Sequence, residues 1–429
     1  MQKERKRKVS AGTRVVLAMT LVILAATAYV MIRLSSGAEV DLTRLRSFSV
    51  STAGTNERDK TSAAETPVPA AEPLHTGTAA LPPQKDPAPE YQSVTLTLAG
   101  TVALDGELRK NSYYSDVKQY DYYDDMTLLQ KELRSDINIV FLENILTEDN
   151  KATDVKATGA AAAMLKAGGF QISASGFARA FDLGEAGIQA TRKVLMEHGI
   201  DARGIRDSAG QDTVRITEVN GIRIAVLQYT CTVAAATRKN MAKQNQTGMV
   251  PPADADYIAR EITTARGQNC DAVIVLLNWG KTGKGPDRTQ RALAQQIAEA
   301  GADFIVGCGS RIVSGAEKLT TGDGRQVMCI WSLGAALSGD RSSIKRIAGM
   351  LVHATIRKDK GRTAIAEFSY TPVYTWKYKM DGRFYYRCLA ANGSIPDGMD
   401  TEQQKYMKKG LDAVRTAMKD APMEERPCE

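Results

Sequence analysis

Residues 272–280 read Ala272-Val273-Ile274-Val275-Leu276-Leu277-Asn278-Trp279-Gly280. The first six are apolar with no polar residue among them. A strand with one wet face would alternate, so this one predicts cover on both faces. Helical patterns flank it at 253–266, behind Pro251-Pro252, and at 288–300. Further apolar runs follow the same spacing at 222–229, 304–306 and 326–332. Working outward, Val94, Leu96 and Leu98 alternate with Thr95 and Thr97 before Ala99-Gly100. Strands are also expected at 137–142 and 170–174, with helices at 158–166 and 185–198 that stop at Gly168-Gly169 and Gly199. Strands alternating with helices predict an α/β domain with buried sheets. Segments 350–356 and 364–370 read as hairpin-type edge strands. A C-terminal extension, 376–429, carries an amphipathic helix at 401–419, which leaves 91–375 as the main domain.

The other end of the chain has a different texture. Lys3, Arg5, Lys6, Arg7, Lys8 and Arg14 precede an uncharged run from residue 15 to residue 32. As a helix those residues would reach roughly 27 Å, close to the ~30 Å of a hydrocarbon core. The basic cluster lies before the run and Glu39 and Asp41 lie after it, so 1–14 is expected in the cytoplasm, 15–33 across the membrane and the rest outside. A cleaved signal peptide competes with this reading, since Ala26-Thr27-Ala28 offers a cleavage site. The run continues past that site through Ile32, which favours an uncleaved anchor. Residues 34–90 follow as a tether; half of the chain's 14 prolines fall between Pro67 and Pro89, and such a stretch cannot bury a core. Of the net charge of +7, residues 1–14 supply five, with six Lys/Arg against Glu4. The basic balance therefore belongs to the anchor, and no nucleic-acid partner is expected.

The motif search is mostly negative. Gly280-Lys281-Thr282 invites a P-loop reading, but Val275 stands where the first glycine would have to be. No Gly-x-Ser-x-Gly elbow and no His-Glu-x-x-His occurs. The three histidines, His75, His198 and His353, are far apart, which argues against an imidazole-rich metal site. The six cysteines include no Cys-x-x-Cys pair, so one disulfide at most is expected.

One ordered set of segments is more specific. Leu98-Ala99-Gly100, Asp136 through Phe141-Leu142-Glu143, Leu165 to Phe170, Asp182-Leu183-Gly184-Glu185-Ala186-Gly187, Asn278-Trp279-Gly280, Gln290, Gly301-Ala302-Asp303, Gly307 and Trp331-Ser332-Leu333-Gly334 follow one another as in a known pattern. Over residues 93–374 the chain resembles the CapA/PgsA family of capsule and poly-γ-glutamate synthesis proteins. The resemblance implies a metallophosphatase-like layered α/β sandwich, here preceded by the expected transmembrane helix and disordered tether. It also marks where the family's metal ligands would stand, and these are replaced. Thr101 takes the place of an aspartate, Phe141 of an asparagine, Phe177-Ala178-Arg179 of Asn-Asn-His, Asn278 of a histidine, Thr282 of an acid, Gly309 and Arg311 of two histidines, and Ala335 of an asparagine. A two-metal hydrolase needs carboxylates and neutral imidazoles. Neither a metal nor any other cofactor is therefore expected.

Three functions remain open on this reading. The first is a non-catalytic anchored protein of the cell envelope whose vestigial pocket (Thr101, Glu143, Arg179, Asp182, Asn278, Trp279 and Arg311) binds an anionic polymer or a protein of the capsule machinery; guanidinium groups suit carboxylates and phosphates. The second is a hydrolase with a rebuilt site drawn from Asp105, Glu143, Asp182 and Cys308. Against it, an isolated cysteine is more often an inert buried thiol, and acids near helix starts more often serve structure. The third is a docking module built on the aromatic and basic residues of 370–387, for which packing over a core is the commoner explanation.

Overall fold

The computed structural model describes residues 91–427 apart from 209–213, 232 and 245–247. The expected cytoplasmic tail, transmembrane helix and tether all lie outside the described residues. Among the described residues no helix is long and apolar enough to cross a membrane.

Two sheets form the centre. The nine-stranded sheet runs in the order Arg383–Ala390, Arg362–Met380, Ala348–Asp359, Gln92–Ala103, Ile137–Leu142, Ile172–Ala174, Asp201–Arg203; Ala335–Ser338 also pairs with Gln92–Ala103, and Glu424–Glu425 with Arg362–Met380. The six-stranded sheet runs Ala316–Thr320, Gln326–Ile330, Phe304–Cys308, Ala272–Asn278, Ile222–Thr230, Ile216–Val219. Its four middle strands are parallel and its two edges antiparallel.

The period-two alternation of a strand explains the unbroken apolar run. Ile274 and Leu276 point to the other sheet, where they meet a core that includes Leu96, Leu98, Ile139 and Phe141. Val273, Val275 and Leu277 point the opposite way, into a core shared with Ile258 and Ile262 of helix Ala255–Gly267 and Ala294 and Ile297 of helix Arg288–Glu299. The outer face of the larger sheet is covered in the same manner by helices Ala160–Gly168 and Gly184–Glu197, through Met164, Leu165, Ile188 and Leu195. The result is a mixed α/β fold of four layers, helix, sheet, sheet, helix. Each buried Leu, Ile or Val contributes roughly 1.5–3 kcal/mol relative to exposure.

Three expectations change. Ala348–Asp359 is no edge strand; it pairs with Gln92–Ala103 on one side and Arg362–Met380 on the other. The boundary expected at 375 falls inside the 19-residue strand Arg362–Met380, so 376–429 is continuous with the main domain. Helix Thr401–Met418 starts at an Asp400–Gln403 capping box and places Val414 and Met418 in the core between the sheets. Tyr374, Trp376 and Tyr386 of the aromatic segment are buried, and Trp376 packs with Met407 and Leu411 of that helix. The first strand does not stop at Ala99-Gly100. It continues to Ala103, with Thr101 N–H donating to the Gly334 carbonyl at 2.9 Å. A Cβ on Gly100 would lie 2.4 Å from that carbonyl oxygen, so glycine is needed for the approach.

Two consequences can be measured. A Cβ at Gly307 would lie 2.1 Å from the Trp279 indole nitrogen and 2.3 Å from the Trp331 carbonyl oxygen. Gly307→Ala is expected to cost about 3 kcal/mol in chemical denaturation, the upper end for overpacking, since both neighbours are buried. His353 sits between the hydroxyls of Thr97 and Thr371, 3.0 Å from each, and burial, with the Arg426 charge adding to it, pushes the imidazole down to about 4. The unfolded chain therefore binds this proton more readily than the folded one. The contribution is complete above pH 6.5 and is lost as pH falls toward 4, by roughly 3 kcal/mol for the one site. His353→Gln should flatten the stability–pH curve in that window.

Candidate functional site

With both faces of each sheet covered, chemistry can be placed only where strands end. Two strands of the larger sheet and two of the smaller one end at a common place. Thr101 lies near the end of Gln92–Ala103, and Glu143 directly follows Ile137–Leu142. Asn278 and Cys308 are the last residues of Ala272–Asn278 and Phe304–Cys308. The Thr101 hydroxyl and the Cys308 thiol are hydrogen-bonded at 2.8 Å, which ties the two sheets together.

Arg311 enters this place from the loop after Cys308. Its Nε donates to Glu143 Oε2 at 3.0 Å and its Nη1 to Asp105 Oδ2 at 2.7 Å. The remaining carboxylate oxygens are also taken. Asn278 Nδ2 donates to Glu143 Oε1 at 3.2 Å, and the Gly339 amide donates to Asp105 Oδ1 at 2.9 Å. The three side chains are 19, 13 and 10% exposed for Arg311, Asp105 and Glu143. Burial by itself would lower the Arg311 guanidinium; the Glu143 and Asp105 carboxylates outweigh it and hold the group above its usual range. Pairs this buried gain little net stability because desolvation offsets attraction, but losing one partner leaves an uncompensated charge.

Thr101, Glu143, Asn278 and Arg311 are thus brought together, and Asp105 joins them. Arg179 and Asp182 are not part of that network. Arg179 Nε donates to Asp182 Oδ2 at 2.6 Å, and the Thr237 hydroxyl bonds the other oxygen of Asp182. Both line a cleft of about 350 Å³ with Lys156 and Asn240. Asp182 does not cap helix Gly184–Glu197, whose N-cap is Leu183. Trp279 is a core residue: it stacks on Trp331 at 5.6 Å and donates its indole N–H to the Trp331 carbonyl at 2.9 Å. Sequence reading did not foresee the Gly339 amide as an Asp105 partner, because nothing in Ser338-Gly339 marks it.

The donor set can be tested against the metal chemistry that the family resemblance implies. Two adjacent cations need several deprotonated ligands free to coordinate. Here every oxygen of both acids accepts a hydrogen bond, and a fixed cation lies on them. Among the described residues no group of three or more His, Cys, Asp or Glu could hold a metal ion. The residues do not fit a two-metal centre. Cys308 is no ready nucleophile either; burial, with the Glu143 charge adding to it, pushes its thiol up to about 12. All five described cysteines are free, so none bridges another.

The chain is 31% identical over 147 residues to the PGA biosynthesis protein CapA of Bacillus subtilis (strain 168), covering 34% of this chain and 37% of that protein. It is 31% identical over 132 residues to the capsule biosynthesis protein CapA of Bacillus anthracis, covering 29% and 31%. The chain therefore spans about a third of the length of these curated relatives. Among solved structures, the calcineurin-like phosphoesterase YfkN from Bacillus subtilis is similar at 12% identity and a TM-score of 0.41, over 76% of this chain and 99% of that one. A hypothetical protein from Thermus thermophilus is similar at 11% identity and a TM-score of 0.38, over 68% and 99%. Superpositions this loose bear on neither the site nor its chemistry. The family model described as bacterial capsule synthesis protein PGA_cap matches residues 95–340, more than half of the chain, and the chain belongs to that family.

Proposed function

We propose that this protein acts in the synthesis or retention of a capsule-type polymer as a non-catalytic, membrane-anchored member of its family, on a metallophosphatase-like scaffold. The observation that carries the reading is the Arg311 guanidinium bonded to Asp105 and Glu143, where catalysis would need acids free to bind a metal or move a proton. Family membership supplies the process. Residues 15–33 supply the anchor, with 1–14 in the cytoplasm, the domain outside, and 34–90 setting how far from the membrane it works. The partners in this reading are an anionic envelope polymer, poly-γ-glutamate in type, or proteins of the capsule machinery. Arg311 spends Nε and Nη1 on carboxylates that already balance its charge, so such partners are met by surfaces around the pocket.

The test is complementation. A strain lacking the protein should lose surface polymer, and the full chain should restore it. Cys308→Ala and Asp182→Asn, at unchanged protein level, should restore it to the same extent. A chain exported without residues 1–33 should not. Loss of polymer with either substitution would mean that chemistry at that residue is required. Full rescue by the unanchored chain would remove the anchor from the mechanism.

A further inference from the structure

Arg311 has a backbone conformation that L residues rarely adopt, with φ of +59°. The loop that carries it is pressed against the pocket. Gly309 has φ of +102°, and a Cβ there would lie 3.1 Å from Asn278 Nδ2 and from the Trp279 carbonyl oxygen. The loop is also pinned from outside. The Ser310 carbonyl accepts from the Gly283 amide at 2.8 Å, and the Ser310 hydroxyl is bonded to the Ser332 hydroxyl at 3.0 Å. A cationic side chain is thus driven, at a cost in backbone strain, into a gap between two acids from different loops. Each acid is more than four-fifths buried.

We infer that Arg311 is the resident cation of this pocket: its guanidinium does the charge-neutralising and loop-tying work of a divalent ion and keeps such ions out. The inference rests on the reading of the pocket as non-catalytic only in taking both carboxylates as engaged. Removing the guanidinium leaves Asp105 Oδ2 and Glu143 Oε2 facing one space, with the Asn278 amide beside them. The two carboxylate oxygens are hard donors, suited to a hard divalent cation such as Mn²⁺ or Mg²⁺ that completes its shell with water. The side chains that remain would then hold a metal that the native chain excludes. Lysine at 311 would keep the positive charge and with it the exclusion, although its single head cannot span the two acids as the planar fork does.

The experiment uses the purified full chain in detergent, stripped with EDTA and dialysed against MnCl₂, with metal content and thermal melting as readouts. The native chain should retain no Mn²⁺, and its melting temperature should be the same in EDTA and in MnCl₂. Arg311→Ala and the bulkier Arg311→Met should each retain about one equivalent and melt higher with Mn²⁺ than without, as expected when a ligand binds only the folded state. Arg311→Lys should behave as the native chain. Adding Glu143→Gln to Arg311→Ala should abolish retention. If a variant is unfolded in EDTA, a cooperative melt regained with MnCl₂ is the same positive result. The inference is overturned if the native chain retains stoichiometric Mn²⁺, or if neither Arg311→Ala nor Arg311→Met responds to it, folded or not. These outcomes are read on metal and stability, whereas failure of the functional proposal is read on surface polymer.

Discussion

Coverage of both sheets on both faces is the constraint on which the other features depend. Strands such as Ala272–Asn278 and Ile137–Leu142 are buried along their whole length. A polar side chain within them must find a partner inside the protein, as Asn138 does by donating to the Leu133, Ser135 and Gly169 carbonyls, or lose its hydration at a cost of a few kcal/mol. Polar chemistry is therefore pushed to the carboxyl ends of the strands, as in other open α/β sheets. Because the two sheets face each other, those ends meet across the sandwich. Thr101 reaches Cys308 and Asn278 reaches Glu143 for this reason.

At that meeting place charge decides what can happen. Two carboxylates so close and so little exposed must be neutralised by something, since like charges in a poor solvent repel strongly. A metal would serve, and so would protons. Here the chain supplies a guanidinium of its own, and Asn278 and Gly339 satisfy the oxygens left over. The pocket is closed by its own side chains. What sets this pocket apart is thus one guanidinium placed between two acids and bonded to both.

Much of this was legible in the sequence. The run at 272–277 predicted double-sided burial, and the alternation of Val94, Leu96 and Leu98 predicted which residues would share a face. The order of motifs pointed to the family that the comparison then established. Asp105 was identified as an acid within reach of the pocket. Other features were not legible, for identifiable reasons. Ala335–Ser338 and Asp201–Arg203 are strands of three or four residues without β-branched side chains, and only their neighbours make them strands. The edge reading of 350–356 failed because nothing within the segment marks its second neighbour, Gln92–Ala103, which comes from the far end of the domain sequence. Arg179 and Arg311 looked equivalent as basic replacements, but spacing along a chain does not say which acid a flexible side chain finds. Asp182, three residues away, captures Arg179, and the positive φ at 311 directs the other arginine inward.

The most direct test is a crystal structure of the folded domain soaked in MnCl₂, with diffraction recorded at the manganese edge. The account predicts no anomalous peak between Asp105 and Glu143 and a guanidinium still bonded to both. A manganese peak at that position, with Arg311 turned away, would contradict it.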